Sequence, residues 1–186
     1  MKKTIILILT ILASAQVKAQ LIKEKSLNIS IGYGISAPYD DADISGSGFY
    51  LQGEYALDLA NWIDIRPYAG LILTKSDTDN QQNEPKYKVT SNAFLIGTKA
   101  RIKAPFPWVA PYLEAGVGAS IGSFETYTPF TTIDKSGLIL HIPFSLGLEL
   151  GPKHNFDIAF TYYFHPSVEQ FSGAAAFGFS FPLNGN

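Results

Sequence analysis

The residues with the most evident chemical potential lie close together in the stretch H-P-S-V-E: His165, Ser167 and Glu169. A serine hydroxyl becomes a nucleophile when a histidine within hydrogen-bond reach takes its proton and a carboxylate orients the imidazole. That constellation would perform acyl transfer or ester hydrolysis. Two features oppose it: Pro166 stiffens and bends the pair, and Gly173 to Ala176 supplies no acidic residue. The plain alternative makes His165 an interfacial loop residue. His141 and His154 show no ligand spacing, and the chain has no cysteine, so no metal site is expected. Gly32 and Gly34 precede no helix and make no phosphate loop. No cofactor is expected.

A second group of chemically capable residues is spread along the chain: Glu54, Asp64, Arg66, Lys99, Arg101, Glu114 and Glu149. Each falls on the polar side of a segment that alternates with period two. Together they would make either an ion-pair and hydrogen-bond network filling a shared interior, or the lining of a narrow pore. The network is favoured, because eight strands enclose a space that side chains just fill. Carboxylates outnumber cations in the group, so burial would call for water or protonation.

The elements that must position these residues are strands. Leu138 to Leu150 puts Leu138, Leu140, Ile142, Phe144, Leu146, Leu148 and Leu150 on one face. This alternation exceeds the usual ~5–6 residues of a soluble strand and suits a tilted bilayer crossing of ~9–11. The same pattern recurs at Leu27–Ala37, Gly48–Asp58, Trp62–Leu73, Tyr87–Ile102, Val109–Ile121, Phe156–Phe164 and Gly173–Leu183. In Leu27–Ala37 the residues opposite the apolar row are Asn, Ser and Gly, too small for a solvated outer wall. For Tyr87–Ile102 the preferred phase turns Phe94, Ile96, Thr98, Ala100 and Ile102 outward. The other phase would send Lys99 and Arg101 toward lipid, at ~2–4 kcal/mol each at mid-depth. Pro143 removes a ladder donor and predicts a bulge. Gly122–Gly137 reads as a long loop.

Long loops alternate strictly with short turns. That asymmetry predicts an all-β, eight-stranded antiparallel up-and-down transmembrane β-barrel with both termini on the short-turn side. Trp62 and Trp108 each follow a short turn and would share one interfacial belt. The acidic loop residues Asp40, Asp41, Asp43, Asp77, Asp79 and Glu84 could meet divalent cations between lipopolysaccharide head groups, although such loops are commonly just solvated.

The chain has 186 residues, 46% hydrophobic and 16% charged, with a net charge of −2. This balance argues against nucleic-acid binding. Lys2 and Lys3, the apolar run Thr4–Ala13 and the A-x-A-like Val17-Lys18-Ala19 read as a secretory signal cleaved after Ala19. Residues 1–19 would then be the signal and residues 20–186 the barrel domain. No later apolar run is long enough for a spanning helix, and only a closed barrel satisfies an exported backbone in lipid.

With its strand count, loop asymmetry and the run P-Y-L-E-A-G-V-G at Pro111–Gly118, the chain resembles the small eight-stranded outer-membrane barrels of the OmpA and OmpX type. The resemblance covers the whole chain after the signal. It implies a Gram-negative outer membrane, contact with its lipid and lipopolysaccharide, and a monomer. It also implies insertion by the barrel-assembly machinery through Gly178, Phe181 and Leu183, although that signal usually ends in Phe and here Asn184, Gly185 and Asn186 follow. The function expected is structural, or binding and adhesion through the loops, rather than enzymatic. The alternatives are a small-solute channel and a hydrolase similar to the lipid A deacylases, whose His-x-Ser pair His165 and Ser167 resemble. A soluble lipocalin-like barrel is the remaining possibility.

Overall fold

The structure, a computed structural model, describes residues 24–76 and 87–183; the expected signal lies outside the described residues. Eight strands close into one antiparallel barrel in sequence order, with β1 paired to β8. They are β1 Glu24–Pro38, β2 Gly46–Ala60, β3 Ile63–Ser76, β4 Lys88–Lys103, β5 Val109–Tyr127, β6 Thr132–Leu150, β7 Phe156–Phe164 and β8 Gln170–Pro182. Closure leaves the paired wall without an edge, and the alternation read from the chain sorts side chains between lumen and exterior. In β4 the preferred phase holds: Lys99 and Arg101 are buried while Phe94, Ile96 and Ile102 are exposed. The exterior carries Ile31, Phe49, Leu73, Ile96, Leu113, Leu146, Ile158 and Phe177, one from each strand around the wall. Trp62 and Trp108 are both exposed at the short-turn end, where Lys103 N donates to Trp62 O and Gly151 N to Trp108 O.

Two expectations are corrected. Pro143 makes no bulge. Ala115↔Phe144 and Gly118↔His141 keep one register on either side of it, and Pro143↔Tyr163 is an ordinary pair on the β7 side. A missing donor interrupts a ladder without requiring an extra residue. The register shift instead falls between Asp58 and Ala60, at the short β2–β3 turn.

Residues 122–137 are not all loop: only 128–131 lie between β5 and β6. β5 and β6 continue as a ladder to Tyr127↔Thr132, and β4 accompanies β5 to Lys88↔Tyr127. The pattern was missed because it inverts here: Phe124 is fully buried on the inner face while Ser123 and Glu125 face out. An extension into water turns its apolar residues inward, so a search for an apolar outer row fails. Gly137, at φ +103°, sits within this extension opposite Gly122, a conformation that favours glycine.

Inside, the lumen is filled in layers. Ionic side chains occupy the short-turn end. Tyr50, Tyr68, Tyr163, Gln52 and His141 lie across the middle. Ile72, Ala93, Leu95, Phe124, Val168 and Ala174 form an apolar layer beyond them. Hydroxyl and amide groups of Ser36, Thr74, Ser91, Thr126, Gln170 and Ser172 close the outer mouth. Close packing depends on glycines facing the large rings. A Cβ on Gly118 would lie 2.4 Å from the Tyr68 hydroxyl, 2.5 Å from His141 Nε2 and 2.6 Å from Ile96 O. Because one of these is backbone, Gly118→Ala is expected to destabilise the barrel by roughly 1–3 kcal/mol, read as a lower urea midpoint in lipid vesicles. An unchanged midpoint would show that the layer has slack.

Candidate functional site

The ionic layer is built by cross-strand register. β3–β4 pairing sets Asp64 opposite Arg101 and Arg66 opposite Lys99; β4–β5 sets Arg101 opposite Glu114; β6–β7 sets Glu149 opposite Asp157. Like charges directly opposite repel, so Arg66 and Lys99 depend on the carboxylates around them. Arg66 Nε lies 2.6 Å from Asp64 Oδ1, and its terminal nitrogens reach Glu54 and Glu149 at 3.2 Å. Lys99 Nζ bridges Glu54 and Glu114, the latter at 2.6 Å. Arg101 is the hub. It meets Glu114 at 2.7 Å, Glu149 at 2.8 Å and Asp157 at 3.1 Å, and its guanidinium lies 3.6 Å from the Tyr112 ring centre. Tyr112 donates to Asp157 Oδ1 at 2.8 Å.

All seven charged residues singled out in the sequence are buried and joined in this one cluster. Two members were missed. Asp157 stood in the inward row of its strand but was not counted among the charged lumen residues. Lys103, the last residue of β4 and beyond the expected end of that strand at Ile102, reaches Asp64 and Glu149 at 3.5 and 3.3 Å. Glu54, Asp64, Glu114, Glu149 and Asp157 against Arg66, Lys99, Arg101 and Lys103 leave one carboxylate in excess. The network lies across the lumen rather than along a passage, and the apolar layer follows it. Such an arrangement braces the wall.

The structure separates the His165, Ser167 and Glu169 constellation. Ser167 and Glu169 are exposed, whereas His165 is 1% exposed and points into the lumen. His165 is therefore not an interfacial loop residue: Val168 N donates to His165 O in a tight turn, and Phe124 packs on the ring with centroids 4.5 Å apart. Its Nε2 meets Ser120 Oγ at 2.9 Å, and the same hydroxyl lies 2.7 Å from His141 Nδ1. Ser120 is fully buried, so no substrate reaches this serine in the present conformation. Ser120 lay in the inward row of β5, but nothing in the sequence linked it to histidines on β6 and after β7.

At the outer rim, β6–β7 pairing ends at Ile142↔Phe164 while β5–β6 pairing continues to Tyr127↔Thr132. Thr132–His141 therefore has a strand on one side and, among the described residues, none on the other. Every second residue of an antiparallel strand points its N–H and C=O to one side, leaving a row of backbone donors and acceptors open. Across the mouth, the Thr128 hydroxyl donates to Asp40 Oδ2, tying the β5–β6 tip to the β1–β2 connection. Against desolvation, hydrogen bonds from Thr128 and from Ala42 N hold the Asp40 carboxyl below the ordinary carboxylate range.

No protein-family model and no curated protein matches the sequence. The fold is similar to solved structures of small outer-membrane barrels. Neisserial surface protein A aligns over 84% of this chain and 95% of its own at 15% identity, with a TM-score of 0.58. The outer membrane protein OprG of Pseudomonas aeruginosa aligns over 86% and 97% at 13% identity, with a TM-score of 0.52. The chain thus has the fold of the small eight-stranded outer-membrane β-barrels.

Proposed function

We propose that the chain is an integral outer-membrane barrel, exported by the signal ending at Ala19, whose work is binding through its outer sheet. The observation that carries this reading is the contrast between a filled lumen and an open edge. Ionic, aromatic and apolar layers block the interior, while Thr132–His141 offers unpaired backbone at the rim. Exposed strand edges recruit extended polypeptide by strand addition, with main-chain hydrogen bonds supplying affinity. The apolar exterior suits lipid, since so continuous an apolar surface exceeds the patches that soluble monomers expose. Gly178, Phe181 and Leu183 would still serve as the assembly signal; Leu183 N donates to Lys25 O beside the β1–β8 seam.

Planar bilayers doped with the purified barrel are expected to stay silent in concentrated potassium chloride; reproducible conductance steps would favour the channel instead. A photo-crosslinking residue at Ser136 on displaying cells is expected to yield protein adducts that Asp134→Pro, which removes an amide from the open side of β6, reduces. The same probe at Tyr33, on the opposite wall, is expected to yield none. Equal adducts at both positions, or none at Ser136, would refute the edge as the binding surface. Lipid A mass profiles are expected to be identical for wild type and Ser167→Ala; a difference would revive the hydrolase.

A further inference from the structure

His141 and His165 are the first residues beyond the last β6–β7 pair, so they stand at the root of the cleft where the wall opens. Their ring centroids are 5.5 Å apart and the planes meet at 68°. Ser120 of β5 lies between them, its single hydroxyl shared by both rings. One hydroxyl proton serves one ring at a time: Ser120 donates to one imidazole and accepts N–H from the other. The neutral pair is therefore held by complementary hydrogen bonds.

The surroundings give added protons no counter-charge. From β3, the Tyr68 hydroxyl meets His141 Nε2. From β7, the Tyr163 ring lies edge-on to His141 at 5.2 Å, and Tyr50 of β2 is behind it at 2.7 Å between hydroxyls. From β4, the nearest cation, Lys99, sits 5.4 Å from the Tyr68 ring centre. Glu54 of β2 is linked through Gln52 and Tyr163, and Glu54 and Glu114 of β5 through Lys99 and the Tyr68 ring. Glu169, on the connection that carries His165, is exposed. Among the described residues no carboxylate bonds either imidazole. With both rings charged, both would donate to Ser120, whose own proton would lose its acceptor, and two cations would face each other in a buried site.

We propose that His141, Ser120 and His165 form an acid-released clasp that closes the root of the β6–β7 cleft. With both rings neutral, the clasp holds the connection 165–169 over the mouth, with Val168 buried in the apolar layer. With both rings protonated, His165 leaves the lumen, Val168 follows, and the free edge of β6 lengthens toward Ile142. The clasp works whether or not the edge has a partner, so its test is separate from the crosslinking above.

The test is backbone hydrogen exchange on the full barrel in lipid nanodiscs at about pH 7.5 and about pH 5, the interval over which histidine changes charge, corrected for intrinsic rates. Protection over residues 138–142 and 163–170 is expected to fall by about tenfold or more at the lower pH, while Lys99 and Arg101 amides keep theirs. His165→Gln, which keeps a polar group near Ser120 but does not charge, is expected to abolish the response. Equal wild-type protection at both pH values, or an equal fall in His165→Gln, would overturn the clasp. If that variant does not fold, the wild-type pH profile decides: protection that falls progressively below about pH 6.5, where a released imidazole charges, supports the clasp, and a fall that begins only below about pH 4.5, where carboxylates change charge, overturns it.

Discussion

Replacing Arg101 with alanine is expected to cost the folded barrel about 3–5 kcal/mol, the range for removing one partner of a buried ion pair. Arg101 is 2% exposed and holds Glu114, Glu149 and Asp157 at once. The layer already has one more carboxylate than cations, so alanine widens the excess and strands three acceptors away from water. Urea unfolding in phospholipid vesicles measures the loss. Arg101→Lys restores charge without the two-sided fork and is expected to recover only part of it. Pairing Arg101→Met with Glu114→Gln removes charge from both sides and should recover more than Arg101→Met alone. A loss below about 1 kcal/mol, the scale of an exposed pair, would mean that water fills the layer. The pore reading would then regain ground.

Leu146→Arg tests what surrounds the barrel. Leu146 is 62% exposed near the middle of the paired part of β6, opposite Leu113 on β5 and Phe160 on β7. In water, arginine on an exposed strand face is close to neutral, within about 0.5 kcal/mol. At the midplane of a bilayer it costs about 2–4 kcal/mol. Phe130→Arg, at the β5–β6 tip, is expected to change little in either solvent. A large loss at Leu146 with none at Phe130, read by unfolding in vesicles, supports the membrane reading. Equal small effects would favour a soluble barrel.

How much of this was legible in the chain depended on whether a residue's role is local. Strand direction, face and lumen membership follow from period two, since each residue's side is set by its neighbours two positions away. Lys99 and Arg101 were assigned inward on electrostatic cost, and β4 has that phase. The β5–β6 extension was not legible, because alternation shows only that two faces differ, while the surrounding solvent decides which face is apolar. His165 was misplaced for a related reason. A residue just past a strand reads as loop, but the turn from His165 O to Val168 N folds its ring back over the lumen.

By itself the sequence determined an eight-stranded antiparallel barrel, its inward and outward rows, and the charged residues that would share an interior. Those follow from backbone geometry and from the cost of burying charge, both of which act along the chain. Only the tertiary structure decided the rest. Asp157 and Lys103 complete the ionic layer, Ser120 rather than Ser167 is the serine beside His165, and Thr132–His141 runs beyond its partner strand. Each of these depends on register between strands far apart in sequence. Closure of the barrel sets that register, and a slip of one residue would turn every side chain to the opposite face.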